Sequence, residues 1–132
     1  MVASGPPRAG GRARRLAVAN FEIAQLDEIP PVTCPCGSTR RAFIAPQDSP
    51  ASMHVVQISE DARTHYHEKS TEIYLVQEGA GEIELDGQLF PVRPMTAVLI
   101  RPGCRHRAVG KMSLAIVCMP PFDTADEHFD DE

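Results

Sequence analysis

The sequence predicts an all-β fold, a single antiparallel β-barrel or jelly roll. Three observations carry that prediction. Short apolar runs recur at roughly ten-residue spacing, turn residues separate them, and no helical period links them. Twelve prolines and nine glycines punctuate the 132 residues, which is how a chain with many turns reads. The length and an apolar content of 42% suit one domain with its own core.

Residues 1–18 are basic and rich in Gly, Pro and Arg, and are expected to be a disordered tail. Arg14-Arg15 is followed by a short apolar stretch, but Asn20 and Glu22 end it, so no secretory signal is expected. Composition leaves a transit peptide open. The domain is expected over 19–122. Residues 21–26 are a first edge strand or a lead-in segment, stopped by Pro30-Pro31. Cys34-Pro35-Cys36-Gly37 has the composition of a turn. Residues 41–44 form a short strand candidate and 47–50 a loop.

The strand signal strengthens at 54–58, then 64–67, then 72–76, with the polar segment 68–71 between the last two. Gly79-Ala80-Gly81 is a turn, and residues 82–86 alternate polar and apolar, the period of a half-buried strand. Asp86-Gly87 is a type I′ hairpin signal, because that turn needs positive φ at both central residues. Further strands are expected at 89–92, 96–100, 105–109 and 112–117, with Pro102-Gly103 as a turn. The last ten residues carry six acidic side chains and are read as a solvated tail or one short helical turn.

The net charge of −5, with no basic stripe, argues against nucleic-acid binding. Residues 114–122 are too short to span a membrane and contain Pro120-Pro121. Four unevenly spaced cysteines do not make a secreted disulfide framework, and a reduced cytoplasm is the expected compartment. Cys34 and Cys36 are read as incidental thiols in a turn, since a structural zinc site needs a second pair of ligands.

Chemistry concentrates in four residues. His65 and His67 lie two apart on a strand, so both imidazoles can face one side. Glu72 lies an odd number of residues beyond His67 and would face the other way on an unbroken strand. A hairpin turn at 68–71 would bring it onto the neighbouring antiparallel strand, across from the histidines. His106 follows Pro102-Gly103 on a later strand. Three imidazoles and one carboxylate on a rigid sheet suit a divalent metal with room for water or substrate.

The order of these residues resembles the cupin superfamily. "HYHEKSTEIYLVQEG" is similar to the first cupin motif, from its HxH through its glutamate to Gly79. "IRPGCRH" is similar to the second, with Gly103 at its glycine and His106 at its ligand histidine. The resemblance runs from about Met53 to Met119. Ser59 and Met95 stand where the two motifs open with glycine, Arg101 replaces a proline that comes one place later as Pro102, and Gly110 stands in place of asparagine. None of these positions is a ligand in the family pattern.

The resemblance implies one divalent metal (Fe, Mn, Ni, Zn or Cu) on His65, His67, Glu72 and His106, and a homodimer of barrels. Dioxygenase or isomerase chemistry on a small organic substrate is the leading expectation. A non-catalytic ligand-binding module with a structural metal is the alternative. Tyr74 shares the face of Glu72 and is either an acid/base group or an aromatic in the wall. Cys104 lines the substrate pocket or is a small buried residue. Gln57, Arg101 and Arg107 are candidates to anchor a substrate at the mouth, or surface residues. His54 receives no role, and His128 is expected to be solvated.

Overall fold

The computed structural model describes residues 20–44, 49–59 and 62–131. Among the described residues, nine strands form two sheets that face each other across one core. The strands are β1 (Val32–Cys34), β2 (Gly37–Ala42), β3 (Ser52–Ile58), β4 (Thr71–Gly79), β5 (Gly81–Leu85), β6 (Gln88–Val92), β7 (Ala97–Ile100), β8 (His106–Val109) and β9 (Met112–Met119). The larger sheet has the order β1-β2-β3-β9-β4-β7 and the smaller β6-β5-β8. Every named pairing is antiparallel. The jelly-roll class is as expected, but no continuous ladder closes the two sheets into a barrel. Two isolated bridges extend the smaller sheet beyond β8, pairing His65 with His106 and Tyr66 with His128.

Alternation builds the core. On β3, His54, Val56 and Ile58 point inward, and on β9 Leu114, Ile116 and Cys118 do the same. Of these, Val56, Ile58, Leu114 and Ile116 pack with Val76, Ile83 and Ile100 in a continuous apolar cluster. Asp86 and Gly87, both at positive φ, make the tight turn between β5 and β6 that the sequence predicts. Residues 21–26, read as an edge strand or a lead-in, form no strand. A 3-10 turn at Leu26–Glu28 is tied to the domain by Arg40, whose Nη1 donates to the carbonyls of Asp27 and Ile29. The strand expected at 41–44 lies earlier, at Gly37–Ala42, where it pairs with β3 along its whole length.

Of the two readings of the acidic segment after 122, the structure has the short helical turn, although Asp123, Asp130 and Asp131 are exposed. A 3-10 turn at Thr124–Asp126 carries the chain back across the domain, with Asp126 buried and His128 bridged to Tyr66. The expected tail at residues 1–18 lies outside the described residues. Cys34 and Cys36 are joined in a disulfide, which replaces the two separate thiols expected there. Among the described residues no helix is long and apolar enough to cross a membrane.

Candidate metal centre

Two backbone hydrogen bonds set the first pair of side chains. The His65 N–H donates to the His106 carbonyl at 3.1 Å, and the His106 N–H donates to the His65 carbonyl at 2.9 Å. Residues that exchange both bonds lie directly opposite each other with side chains on one face. Their imidazole centroids are 4.3 Å apart. His67, two residues on, returns to that face, and its carbonyl accepts from the Gly103 N–H at 2.7 Å.

Glu72 comes from the opposite sheet. Its neighbours on β4 are Ile100 of β7 and Cys118 of β9, so residues 68–70 cross between the sheets and are not the hairpin turn that the spacing suggested. The parity argument survives in altered form: the crossing turns Glu72 back towards the histidines. It is held by Asp126, whose carboxylate accepts from the N–H groups of Glu68, Lys69 and Ser70 at 2.9–3.2 Å.

The four side chains are buried, and one potential ligand atom from each lies within 4.8 Å of the others. All three imidazoles bond to main-chain carbonyls through Nδ1. His65 reaches the Arg63 carbonyl at 3.1 Å, His67 that of Asp126 at 2.9 Å, and His106 that of Cys104 at 2.8 Å. A carbonyl only accepts, so each Nδ1 carries the proton and, in the neutral ring, each Nε2 carries a lone pair. Those lone pairs converge. Glu72 Oε1 lies 3.1 Å from His106 Nε2 and 3.4 Å from His67 Nε2. His67 Nε2 is buried with no hydrogen-bond partner.

Electrostatics keep His65 and Glu72 in metal-binding form. Burial, then the neighbouring His106, pushes His65 down to about 4, so it stays neutral at physiological pH. Burial works against an ionised Glu72, but His106 and His67 override it and hold the carboxyl well below its ordinary range. Burial also opposes the charged form of His67, yet Glu72 raises its pKa on balance. Neutral imidazole and ionised carboxylate are the forms that ligate a metal.

Residues 52–120 match the family model of the cupin domain. The chain is a cupin. It is 31% identical over 125 residues to the L-ectoine synthase of Halomonas elongata, covering 88% of this chain and 89% of that one. A crystal structure of a protein from Planctomyces limnophilus is 42% identical, with a TM-score of 0.78 over 84% of this chain and 98% of that chain. The nucleoside dehydratase Pac13 shares the fold at 18% identity and a TM-score of 0.69, over 83% of this cupin and 90% of that protein.

Beside its ligand cluster the cupin has a cavity that offers about 40 Å³ to the centres of water-sized molecules. That is room for a few waters or a small substrate group. Tyr74 lines it, and its ring stands edge-on to His106 at 5.9 Å between centroids. Gln57 is exposed on the outer face of β3, where its amide donates to Ser113 Oγ at 3.2 Å, so it does not reach the cavity. The cause is its own parity, opposite to His54 and Val56. Cys104 precedes the regular part of β8, and its thiol packs against the apolar core while only its carbonyl serves the centre.

Arg107 lines the cavity but is paired with Glu84 at 2.7 Å, and Arg101 is exposed. Among the lining residues without an assigned role are Arg41, His54, Phe122 and Glu127. His54 was legible from the alternation of β3. It is buried, bonded to Ser52 Oγ at 2.8 Å, and lowered to about 4 by burial and then Arg41. Nothing in the acidic composition of the C-terminal segment marks Glu127.

Proposed function

We propose that this cupin is a metalloenzyme acting on a small organic substrate at one divalent transition metal, held by His65, His67, Glu72 and His106. One observation carries the reading. With the Nδ1 atoms committed to main-chain carbonyls, the Nε2 atoms of His106 and His67 face a Glu72 carboxylate oxygen at 3.1 and 3.4 Å in a buried space. Such an arrangement is stable only with a cation between the donors, either extra protons or a metal, and the buried unpartnered Nε2 of His67 favours the metal. The N/O donor set fits Fe, Mn, Ni, Zn or Cu.

A metal bound here would supply Lewis acidity, and iron or copper would add O₂ chemistry. The chain's own groups orient and protonate. Tyr74 keeps its hydroxyl proton, because burial and then the Glu72 charge raise its pKa, so it acts as a hydrogen-bond donor. Burial raises Glu127 as well, which suits it to hold a proton in the cavity. A module that merely binds a ligand would need an apolar cavity, and these ionisable groups support the enzyme instead. The likeness to an L-ectoine synthase supports it too.

Metal analysis of the purified protein by plasma mass spectrometry tests the reading. About one equivalent of a transition metal per chain is expected. Less than a tenth of an equivalent, after reconstitution at neutral pH with each of the five metals, refutes it. Turnover of no substrate by a fully loaded protein would leave the binding module.

A further inference from the structure

Arg41 is the cationic group in the cavity that the metal centre does not use. It lies on the inner face of β2 opposite His54, at the end of the row His54, Ile116 and Tyr74 that crosses β3, β9 and β4. Its guanidinium carbon sits 4.2 Å over the centre of the Phe122 ring, which fixes the plane of the group. Its Nε is buried with no hydrogen-bond partner. Among the described residues, the Arg41 side chain makes no hydrogen bond and no ion pair.

The other arginines of the domain body behave differently. Arg40 donates to two carbonyls, Arg63 pairs with Asp131, Arg105 with Asp130, and Arg107 with Glu84. Arg93 and Arg101 are exposed and hydrated. A half-buried guanidinium with an orphaned donor is costly unless an anion completes it. Glu127 lines the same cavity and its charge acts on Arg41, yet the two side chains do not come within ion-pair distance. The guanidinium is therefore open towards the space that the metal cluster also faces.

We infer that Arg41 anchors a carboxylate at one end of a small substrate whose other end reaches the metal centre. The inference rests on the proposed metal site for that far end. A planar carboxylate matches the guanidinium fork, and two parallel N–H···O bonds would satisfy Nε and one Nη together. A phosphate would need more donors than the single arginine and the neutral His54 provide, in a space this small. The substrate class is thus a compact carboxylic acid with a metal-binding oxygen or nitrogen a few bonds away.

Isothermal titration with succinate and with its neutral diamide, succinamide, tests the inference on zinc-loaded and metal-free protein. The wild type should prefer succinate by roughly tenfold or more, as expected of one charge-assisted pair. Arg41→Gln should bind both to within about twofold, with metal content and circular dichroism unchanged. Arg41→Lys, which keeps the charge without the fork, should weaken succinate several-fold and leave succinamide alone; it decides the matter if the glutamine variant does not fold. A wild type that does not discriminate, an Arg41 variant that keeps the full preference, or tighter Arg41-dependent binding of inorganic phosphate each overturns it. An Arg41-dependent preference in protein that takes up no metal would sustain this inference and remove the metal reading alone.

Discussion

The segment from His65 to Glu72 supplies three of the four candidate ligands; the segment from Asp126 to His128 supplies none and yet holds that first segment in place. The Asp126 carbonyl takes the Nδ1 proton of His67, and the Asp126 carboxylate gathers the N–H groups of three consecutive residues that carry the chain from the histidines to Glu72. His128 pairs with the Tyr66 backbone in both directions and stacks on its ring at 5.2 Å. The difference teaches that ligand identity and ligand orientation are written in separate stretches of this chain. The first stretch says what can bind, and the second keeps the donors aimed.

Substitutions that divide the two contributions should rank in order. His106→Ala removes a ligand, and metal affinity, measured by competition with a chelator, should fall by more than roughly 100-fold, beyond the usual effect of a supporting residue. An unchanged affinity would remove His106 from the set. Asp126→Ala leaves every ligand present but strips the crossing of its acceptor. Thermal or denaturant unfolding should show a loss of about 2–4 kcal/mol, with metal affinity down about tenfold. Equal affinity in that variant would show that the crossing holds itself.

Asp126→Asn separates charge from shape. Burial opposes the ionised form of Asp126, but the N–H groups of Glu68, Lys69 and Ser70 override it and hold the pKa below the ordinary value. A lowered folded pKa gives stability that is complete above the unfolded value, near 4, and is lost as pH falls through the folded one. The difference in melting temperature between wild type and Asp126→Asn should therefore be level from about pH 5 to 8 and shrink below about pH 4. A difference that grows on acidification would contradict the assignment. The smallest effect is expected from His128→Ala, about 0.5–1 kcal/mol in the same unfolding assay. That variant loses a ring stack and the approach of Nε2 to the Asp126 and Glu68 carboxylates at 3.5 and 3.6 Å but keeps its backbone pairing. A loss as large as that of Asp126→Ala would move the holding role from the carboxylate to the ring.

The cluster of four candidate ligands was legible because a strand repeats every two residues, so HxH alone places two imidazoles on one face. The all-β class was legible from the same period. What failed was whatever depends on which strands face each other. Glu72 was expected beside the histidines and lies across the core from them, since β4 joins the other sheet. Arg41 was placed at the start of a strand that in fact ends at Ala42, which hid its inward face. For Gln57 and Cys104 the sequence left the pocket open beside a surface or core position, and only the strand registers decide for the latter. Asp126 was the hardest to see: six acids in ten residues resemble a solvated tail, and only the three N–H groups waiting at 68–70 make one of them structural.

The Nδ1 bonds of the three histidines have a consequence for sequence drift. Their acceptors are main-chain oxygens of Arg63, Cys104 and Asp126, which every amino acid possesses. Side chains at 63 and 104 can therefore change freely without disturbing the tautomers, provided the backbone path is kept. A ring orientation secured in this way is lost to insertions and deletions more readily than to substitutions. Relatives that keep the ligand set should thus vary at these flanking positions while conserving the spacing between them.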